Sequence, residues 1–411
     1  MSADQLFDRA RDQVPVREVA ERGGAKLHAS GREVRGTCPL RGCGSKSKAG
    51  PFAITDGGRR WKCWSCDPRG GDVVDLEHLL FSELGQSLAD AARRLTGGDQ
   101  KVESAEAKAR RERARKAAER DAHRSAEWKA DLAKRMWRES VSAVGSPVQT
   151  YLEARGIRGP VAARALGQLR YHPSAYHSGH PDFGVFLPAI LGLPMTEYGP
   201  TGGVHATYLA PDGRSKTHSS PAKRMIGPQG VMGPDGIVRP GAIWLTRPTA
   251  EGLLVVAEGI ESTLSRALMR AGPLSHPVRA AAACSLDRLQ GFELIDDDGA
   301  RDVWKPKGDP MRPPFTWPEA AEAPWGEIDI ATDGDMSPVK VRGRTGRGRL
   351  VDFQRDSEER ARVCGRLAIA AWRGRLLADS KTTVGASRAP LGQDFNDVIR
   401  AAEAAECGGV A

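Results

Sequence analysis

The stretch LLVVAEGIESTLSRALMRAG, residues 253–272, decides the fold. Its first five residues are apolar and end at Glu258 and Gly259, and a helical spacing of apolar residues follows at once. A short apolar run of this kind is typical of a buried strand. A strand that leads directly into a helix is the repeating unit of parallel α/β sheets, so we predict an α/β fold around this segment.

The residues that follow continue the alternation of strand and helix. We predict further strands at VRAAAAC (278–284), EIDIATDGD (327–335) and TTVGASRAP (382–390), and a helix at SEERARVCGRLAIAAWRG (357–374). Two segments interrupt the pattern, 293–325 and 336–355. The earlier segment is expected to be a surface excursion, and the later one contains the Gly- and Arg-rich stretch RGRTGRGR (342–349), expected to be either a flexible phosphate-binding arm or a plain loop. Within the first, the run Asp296 to Asp298 is predicted to form a turn.

Carboxylates stand where two of these strands end. Glu258 follows the first strand, and Asp333 and Asp335 end the third along the chain. The carboxyl ends of parallel strands share one edge of the sheet, where ligands bind. Clustered carboxylates repel one another unless a cation lies between them, and Mg²⁺ prefers oxygen ligands. The carboxylates at this edge therefore predict a Mg²⁺ site suited to phosphate chemistry, with Mn²⁺ as a possible substitute. The alternative is that Glu258 only caps a helix and that Asp333 and Asp335 only form a turn.

The residues before 253 have a different character. Residues 146–252 are rich in Gly and Pro between short apolar runs, which predicts strands and turns after one helix. Residues 99–139 contain no Gly or Pro and are rich in Ala, Arg, Lys and Glu, which predicts a solvated, charged helix. We interpret it as a spacer, with a dedicated nucleic-acid helix as the alternative. A helix is also expected over residues 4–22.

Four of the seven cysteines lie in the first 66 residues, in two close pairs. Cys38-x4-Cys43 and Cys63-x2-Cys66 are separated by nineteen residues, a spacing that favours one structural, tetrahedral zinc site over a redox pair. The aromatic and basic residues around them predict a surface for single-stranded nucleic acid, because cations neutralise phosphates and rings stack on bases. These residues are Trp61, Lys62, Trp64, Arg32, Arg35, Lys46, Lys48, Arg59, Arg60 and Arg69. The alternative is that the tryptophans cover a small core.

The totals agree with a nucleic-acid partner. A net charge of +9 and a pI near 9.3 indicate a polyanionic partner. No run of eighteen apolar residues occurs, so we expect no membrane span and a cytoplasmic protein.

The cysteine-containing segment resembles a known family. CPLRGC, PFAI and WKCWSCDPRGGDVVDLE together resemble the zinc-binding domain of bacterial and phage replicative primases. That family usually has a His three residues after the first Cys, where this sequence has Arg41. The resemblance therefore implies a four-cysteine zinc set, Cys38, Cys43, Cys63 and Cys66, with Cys43 in place of the His.

The C-terminal part resembles the Toprim domain shared by primases, topoisomerases and some nucleases. The matching elements are VVAEGIES, IDIATDGDMS and GQDFNDVI (392–399). The resemblance implies that Glu258 is an acid-base or metal-orienting residue and that Asp333 and Asp335 hold Mg²⁺. It also implies that Asp394 completes the cluster, and it makes Asn396 and Asp397 candidates for nucleotide or nucleic-acid binding.

The segment before this part also resembles primases, in YLEARGI, LRYHP, HATYLAPDG and AKRMIGP. The resemblance implies contacts to template phosphate and nucleoside triphosphate from the basic residues His205, Arg214, Lys216, Lys223 and Arg224. The alternative is a solvated basic strand edge.

Together these observations predict an α/β protein with four parts. They are a zinc-ribbon primase domain (1–98), a charged helical linker (99–145), a mixed α+β primase subdomain (146–252) and a Toprim domain (253–405). The function expected by resemblance is a phage- or plasmid-type DNA primase, a nucleotidyltransferase that makes short RNA primers on single-stranded DNA from nucleoside triphosphates. The alternatives are a zinc- and Toprim-containing recombination or repair factor that does not polymerise, and a Toprim nuclease. No Walker A motif occurs in the sequence, so we expect a separate replicative helicase as partner.

Overall fold

The structure is a computed structural model that divides into two compact units, Met1–Ser125 and Ala126–Ala411. The residues that it describes are 3–30, 33–40, 43, 50–82, 86–97, 105–177, 179–180, 182, 184–250, 252–272, 276–296, 298–321, 324–344 and 350–408.

The first unit combines helices with a five-stranded antiparallel sheet of order β1-β2-β3-β4-β5. Its elements are α1 (Ala3–Gln13), α2 (Val16–Arg22), β1 (Leu27–Ser30), β2 (Glu33–Gly36), β3 (Phe52–Thr55), β4 (Arg60–Cys63), β5 (Asp67–Gly71), α3 (Val73–Phe81), α4 (Leu88–Thr96) and the beginning of α5 (Ala105–Glu139). The helix expected over 4–22 is two helices, because Pro15 has no N–H to donate and disfavours a helical residue before it.

The core of the first unit lies between the sheet and its helices. Phe52 and Trp61 stack with ring centroids 5.7 Å apart, and both are buried together with Leu76 of α3. Asp72 begins α3 with a capping box, in which its side chain accepts from Asp75 N and the Asp75 side chain accepts from Asp72 N. Asp72 is therefore the N-cap of α3, and the two hydrogen bonds satisfy backbone donors at the start of the helix.

The second unit is built on two larger sheets. Its elements are the end of α5, β6 (Val141–Ser142), α6 (Pro147–Ala154), α7 (Gly159–Leu166), β7 (Arg170–Tyr176), β8 (Phe186–Gly192), β9 (Pro194–Thr196), β10 (Gly199–Pro200), β11 (Val204–Tyr208), β12 (Lys223–Ile226), β13 (Gly230–Met232), β14 (Val238–Pro240), β15 (Ala242–Trp244), β16 (Leu253–Ala257), α8 (Ile260–Ala271), β17 (Val278–Ala282), α9 (Leu286–Gln290), β18 (Glu327–Thr332), β19 (Val339–Arg344), β20 (Leu350–Arg355), α10 (Ser357–Arg373), β21 (Thr383–Arg388) and α11 (Phe395–Gly408).

A seven-stranded sheet of order β10-β9-β15-β17-β16-β18-β21 carries the expected α/β pattern. The four strands β17, β16, β18 and β21 are parallel, as predicted from the alternation of strands and helices. The strands β15, β9 and β10 extend the sheet with antiparallel pairing. The carboxyl ends of β16 and β18 therefore lie beside one another at one edge of a mixed sheet.

A five-stranded antiparallel sheet, β12-β11-β8-β7-β6, accompanies the first sheet in this unit. Val204, Ala206 and Tyr208 of β11 share one hydrophobic cluster with Leu132 and Met136 of α5. The predicted helix is thus present, but its C-terminal turns are packed rather than solvated, because their apolar residues cover this sheet.

The two insertions pack on each other. The β19–β20 hairpin meets the earlier segment through Arg301 N, which donates to Arg342 O, and through Arg355, which pairs with Glu293 by two hydrogen bonds. Asp296 Oδ1 accepts from the backbone N–H groups of Asp298 and Ala300, which confirms a turn at these residues. Residues 345–349 of the Gly- and Arg-rich loop lie outside the described residues.

Candidate functional site

The four cysteines predicted as zinc ligands come together in the first unit. Their sulfurs all lie within 4.8 Å of one another, with Cys38 Sγ 3.7 Å from Cys66 Sγ and Cys43 Sγ 3.8 Å from Cys63 Sγ. A tetrahedral ion with Zn–S bonds of about 2.3 Å would hold its sulfurs about 3.8 Å apart. The cluster therefore has the dimensions of a four-cysteine zinc site.

The protonation of these thiols fits a cation as their partner. Burial raises the pKa of Cys63 to about 11, and the Cys38 thiol raises the pKa of Cys66. Crowded thiols keep their protons when no cation is bound, and metal binding replaces those protons with a shared positive charge. The site could hold zinc with no position left for a substrate, which is typical of a structural ion.

The two tryptophans of the predicted nucleic-acid surface lie in different environments. Trp61 is 1% exposed and its Nε1 donates to Asp72 O, so it belongs to the core, and the prediction that it contacts nucleic acid is corrected. Trp64 is 53% exposed, and Lys62 Nζ lies 3.9 Å from its ring centroid. Lys62 and Trp64 thus present a cation and a ring together. Arg32, Arg41, Lys46 and Lys48 lie outside the described residues.

The predicted carboxylates meet at one edge of the parallel strands in the second unit. Glu258 follows β16, and Asp333 and Asp335 follow β18, which pairs with β16. Burial raises the pKa of Asp333 to about 7, and the carboxylates of Asp394, Glu258 and Asp335 add to the rise. Burial also raises the pKa of Glu258. These carboxylates are near enough to repel one another, so the edge concentrates negative charge.

Asp333 has one oxygen in use and one without a partner. Its Oδ2 accepts from Ser262 Oγ at 3.3 Å, whereas Oδ1 is buried with no hydrogen-bond partner among the described residues. A buried carboxylate oxygen of this kind suits a cation. In the described part of the chain, the carboxylates are gathered less tightly than the cysteines. The Mg²⁺ site at this edge stays a prediction; Mg²⁺ in proteins is usually bound by one or two carboxylates together with waters or substrate phosphates.

The residues predicted from GQDFNDVI have structural contacts as well. Asp394 Oδ1 accepts from Asp397 N and Asp397 Oδ2 accepts from Asp394 N, so the pair caps α11. Asn396 is buried, and its Nδ2 donates to Arg155 O and Ser265 Oγ. Asn396 therefore anchors α11, and its prediction as a nucleotide-binding residue is corrected. Asp394 stays near Asp333, whereas Asp397 is exposed.

Glu261, a residue that the sequence reasoning missed, organises the basic side of this edge. Its buried carboxylate accepts from Tyr151 Oη at 2.6 Å, Lys223 Nζ at 2.8 Å and Lys216 Nζ at 3.1 Å. Burial opposes its ionisation, but Lys223 and Lys216 hold the pKa of Glu261 well below its usual value. Both predicted lysines are thus fixed at one carboxylate, three residues after Glu258. The signal in the sequence was a second Glu in EGIES, on the helix that follows the strand end.

Arg224 does not join this cluster. Lys223 lies opposite Thr207, and Arg224 lies opposite Ala206 in the β11–β12 pair. Successive strand residues face opposite sides of a sheet, so Arg224 is exposed on the other face, where its guanidinium approaches Gly179. The expectation that Arg224 contacts template phosphate or nucleoside triphosphate stays a prediction.

Comparisons with known proteins give two similarities. Residues 127–233, about a quarter of the chain, match the family model of a domain of unknown function, DUF7146. Among solved structures, the chain is similar to the RNA polymerase domain of the Mycobacterium tuberculosis primase DnaG, with 15% identity, 68% of this chain and 82% of that chain covered, and a TM-score of 0.30. No curated protein matches. A structural similarity with this TM-score supports no conclusion about the function of this chain.

No helix in the described part of the chain is both long enough and apolar enough to cross a membrane.

Proposed function

We propose that this protein is a primase-type nucleotidyltransferase that joins nucleoside triphosphates on a single-stranded DNA template. The observation that carries the proposal is the adjacency of an acidic and a basic cluster at one end of β16. Glu258 faces the carboxylates, and an ideal Cβ on Gly259 would lie 3.5 Å from Lys223 Nζ. A divalent cation and a phosphate group need these two environments side by side.

The acidic residues would bind the metal ion, and the basic residues would bind the triphosphate. Asp333, with Glu258 and Asp335, would hold Mg²⁺, and Asp394 would add negative charge at the same edge. Bound there, the ion would lower the pKa of an attacking hydroxyl and neutralise phosphate charge. Lys216 and Lys223 would contact the triphosphate, and Glu261 orients them.

The first unit would supply the template-binding part. The exposed Trp64 ring and the Lys62 ammonium above it can stack on a base and attract a phosphate. The four-cysteine cluster fixes both residues, because Cys63 and Cys66 flank Trp64 in the chain. The resemblance to phage- and plasmid-type primases supports the same assignment, and a separate helicase would then open the duplex.

The test is incorporation of labelled nucleoside triphosphates on single-stranded templates with Mg²⁺, comparing the wild type with Asp333→Asn. The substitution removes one charge and keeps the shape of the side chain. We expect dinucleotide synthesis to fall at least about a hundredfold, since a metal ion supplies several kcal/mol of transition-state stabilisation. Template binding should stay the same or rise as repulsion of phosphate decreases, and Mn²⁺ should restore part of the activity.

Asp379→Asn is the matched control, because this exposed residue precedes β21 and so lies toward the opposite end of the parallel strands. It should remain fully active. Shortening of labelled DNA instead of primer synthesis would assign the chain to the Toprim nucleases. Template binding with neither reaction would favour the recombination or repair factor.

A further inference from the structure

Several buried polar atoms of the second unit have no hydrogen-bond partner among the described residues, and three of them lie in one part of the unit. They are His205 Nδ1, Thr207 Oγ1 and Arg288 Nη1. His205 and Thr207 are two residues apart on β11 and therefore share one face of the sheet. Thr207 lies directly opposite Lys223 on β12, so Lys223 belongs to the same face.

Arg288 is the least expected member of this group. Its side chain is 7% exposed, and its guanidinium donates to Gln229 Oε1, a neutral acceptor. Burial lowers the pKa of Arg288, and the nearby Asp287 carboxylate offsets this only in part. Native proteins usually pair or ligate such a buried cation, because its burial costs free energy. Arg355, another buried arginine of this unit, has two hydrogen bonds to the carboxylate of Glu293, although its Nε also lacks a partner among the described residues.

Charged residues of both signs surround the group. Burial lowers the pKa of His205 to about 3, and the charges of Lys223, Arg288 and Lys216 add to this effect against Glu261. Three cations thus lie around the neutral imidazole and the Glu261 carboxylate, while Glu258 lies near Lys223 and Asp287 near Arg288. All the unsatisfied atoms can donate hydrogen bonds, so a group that accepts several of them, with negative charge, would complete the cluster.

We propose that His205, Thr207, Lys223 and Arg288 form a subsite for a phosphate group, with Arg288 as its buried cation. This deepens the proposed function and rests on it: the phosphate is the terminal part of the incoming triphosphate rather than the template backbone. Access is past Lys216 and Lys223, whose side chains are 28% and 35% exposed. Entry requires a small outward rotation of these flexible side chains.

The test is calorimetric titration of the full-length protein with inorganic tripolyphosphate, without nucleotide or DNA. We expect the wild type to bind tripolyphosphate. In Arg288→Met the Kd should rise by a factor of about ten or more, the loss typical of one hydrogen bond to a charged group. Thr207→Val, which removes one hydroxyl at nearly constant shape, should also weaken binding, by less.

Stability separates a ligand-binding role from a structural one. Without anion, Arg288→Met should melt at the wild-type temperature or above it, because it removes a buried charge that its surroundings compensate only in part. Arg355→Met is the control: it should destabilise the protein and leave the Kd for tripolyphosphate unchanged. Destabilisation by Arg288→Met with an unchanged Kd would assign Arg288 to the fold and overturn the proposal.

The source of the phosphate is decided by two further titrations. ATP should lose affinity in Arg288→Met, whereas an oligodeoxythymidine without terminal phosphates should bind both proteins equally. Loss of oligonucleotide binding alone would move the subsite to the template backbone and overturn the assignment to the triphosphate. If the wild-type protein does not bind tripolyphosphate, ordered water satisfies these donors and the subsite does not exist. None of these readouts requires primer synthesis, so a failure here leaves the proposed function standing and can be told apart from a failure of primer synthesis.

Discussion

The cysteine cluster and the carboxylate edge are both groups of potential metal ligands, but they differ in completeness. The four sulfurs lie at tetrahedral spacing and need only an ion. The carboxylates lie farther apart, and Asp333 Oδ1 has no partner in the described residues. Thiolates close their own coordination sphere, whereas a Mg²⁺ site leaves positions for water and substrate.

Under the proposed function, the two clusters have different roles. A closed site can contribute its whole binding free energy to folding. An open site keeps part of its coordination for a ligand and therefore contributes less to folding. The basic residues beside the carboxylates, held by Glu261, indicate that this ligand carries negative charge.

The largest expected effect separates the two clusters by stability. Cys63→Ser should abolish zinc binding and unfold residues 1–125, since structural zinc sites contribute on the order of 10 kcal/mol. Metal analysis and hydrogen exchange measure the two results. Residues 126–411 should keep their protection, because they form a unit of their own. Cys364→Ala, a change at a buried cysteine of the second unit, should leave the zinc content at wild-type level. A zinc-free wild-type protein with a protected first unit contradicts the assignment.

A smaller effect is expected at the anchor of the basic cluster. Glu261→Gln should lower the free energy of unfolding of the second unit by about 3 kcal/mol, because it leaves two partly buried lysines without their carboxylate. Chemical denaturation measures the change, and tripolyphosphate titration should show weaker binding because the lysines lose their orientation. Glu153→Gln, at a more exposed position of the same unit, is the control. Equal effects of the two substitutions would show that Glu261 does not anchor the two lysines.

The surface next to the cysteine cluster predicts an effect on binding alone. Trp64→Ala should weaken single-stranded DNA binding by about 1–3 kcal/mol, the contribution of one stacked base, and leave the zinc content unchanged. Fluorescence anisotropy measures the affinity. Trp61→Ala provides the contrast, since its ring is in the core and its loss should destabilise the fold. If a folded Trp64→Ala protein binds DNA as the wild type does, the template lies elsewhere.

The smallest expected effect concerns the stability of the carboxylate edge. Without divalent cation, Asp333→Asn should change the free energy of unfolding by no more than about 1 kcal/mol, because the charge that it removes is repelled by its neighbours. Mg²⁺ should raise the melting temperature of the wild type and not that of the variant. If Asp333→Asn unfolds the second unit, the carboxylates are needed for folding as the cysteines are, and the proposed difference between the two clusters is wrong.

The local pattern of the sequence determined much of the fold. The apolar run before Glu258 forms β16, the parallel strands appear where strands alternate with helices, and Asp72 begins α3. These features depend on the periodicity of nearby side chains and on hydrogen bonds within a turn, which short stretches of sequence contain. The spacing of the cysteines likewise predicted which four sulfurs meet.

Tertiary structure decided which candidates reach solvent and which cluster they join. Trp61 is in the core and Trp64 is not, although both stand in one basic motif. Strand pairing placed Lys223 beside Thr207 and turned Arg224 to the other face. Helix packing buried Asn396 against Arg155 and Ser265.

The role of Glu261 shows the physical reason. Its partners are Tyr151, Lys216 and Lys223, which lie 38 to 110 positions away in the chain. The same holds for Arg288 and Gln229, which are 59 positions apart. The sequence determined which residues could carry charge or bind metal. Only packing of distant segments decided which charges are neutralised within the protein and which are left for a ligand.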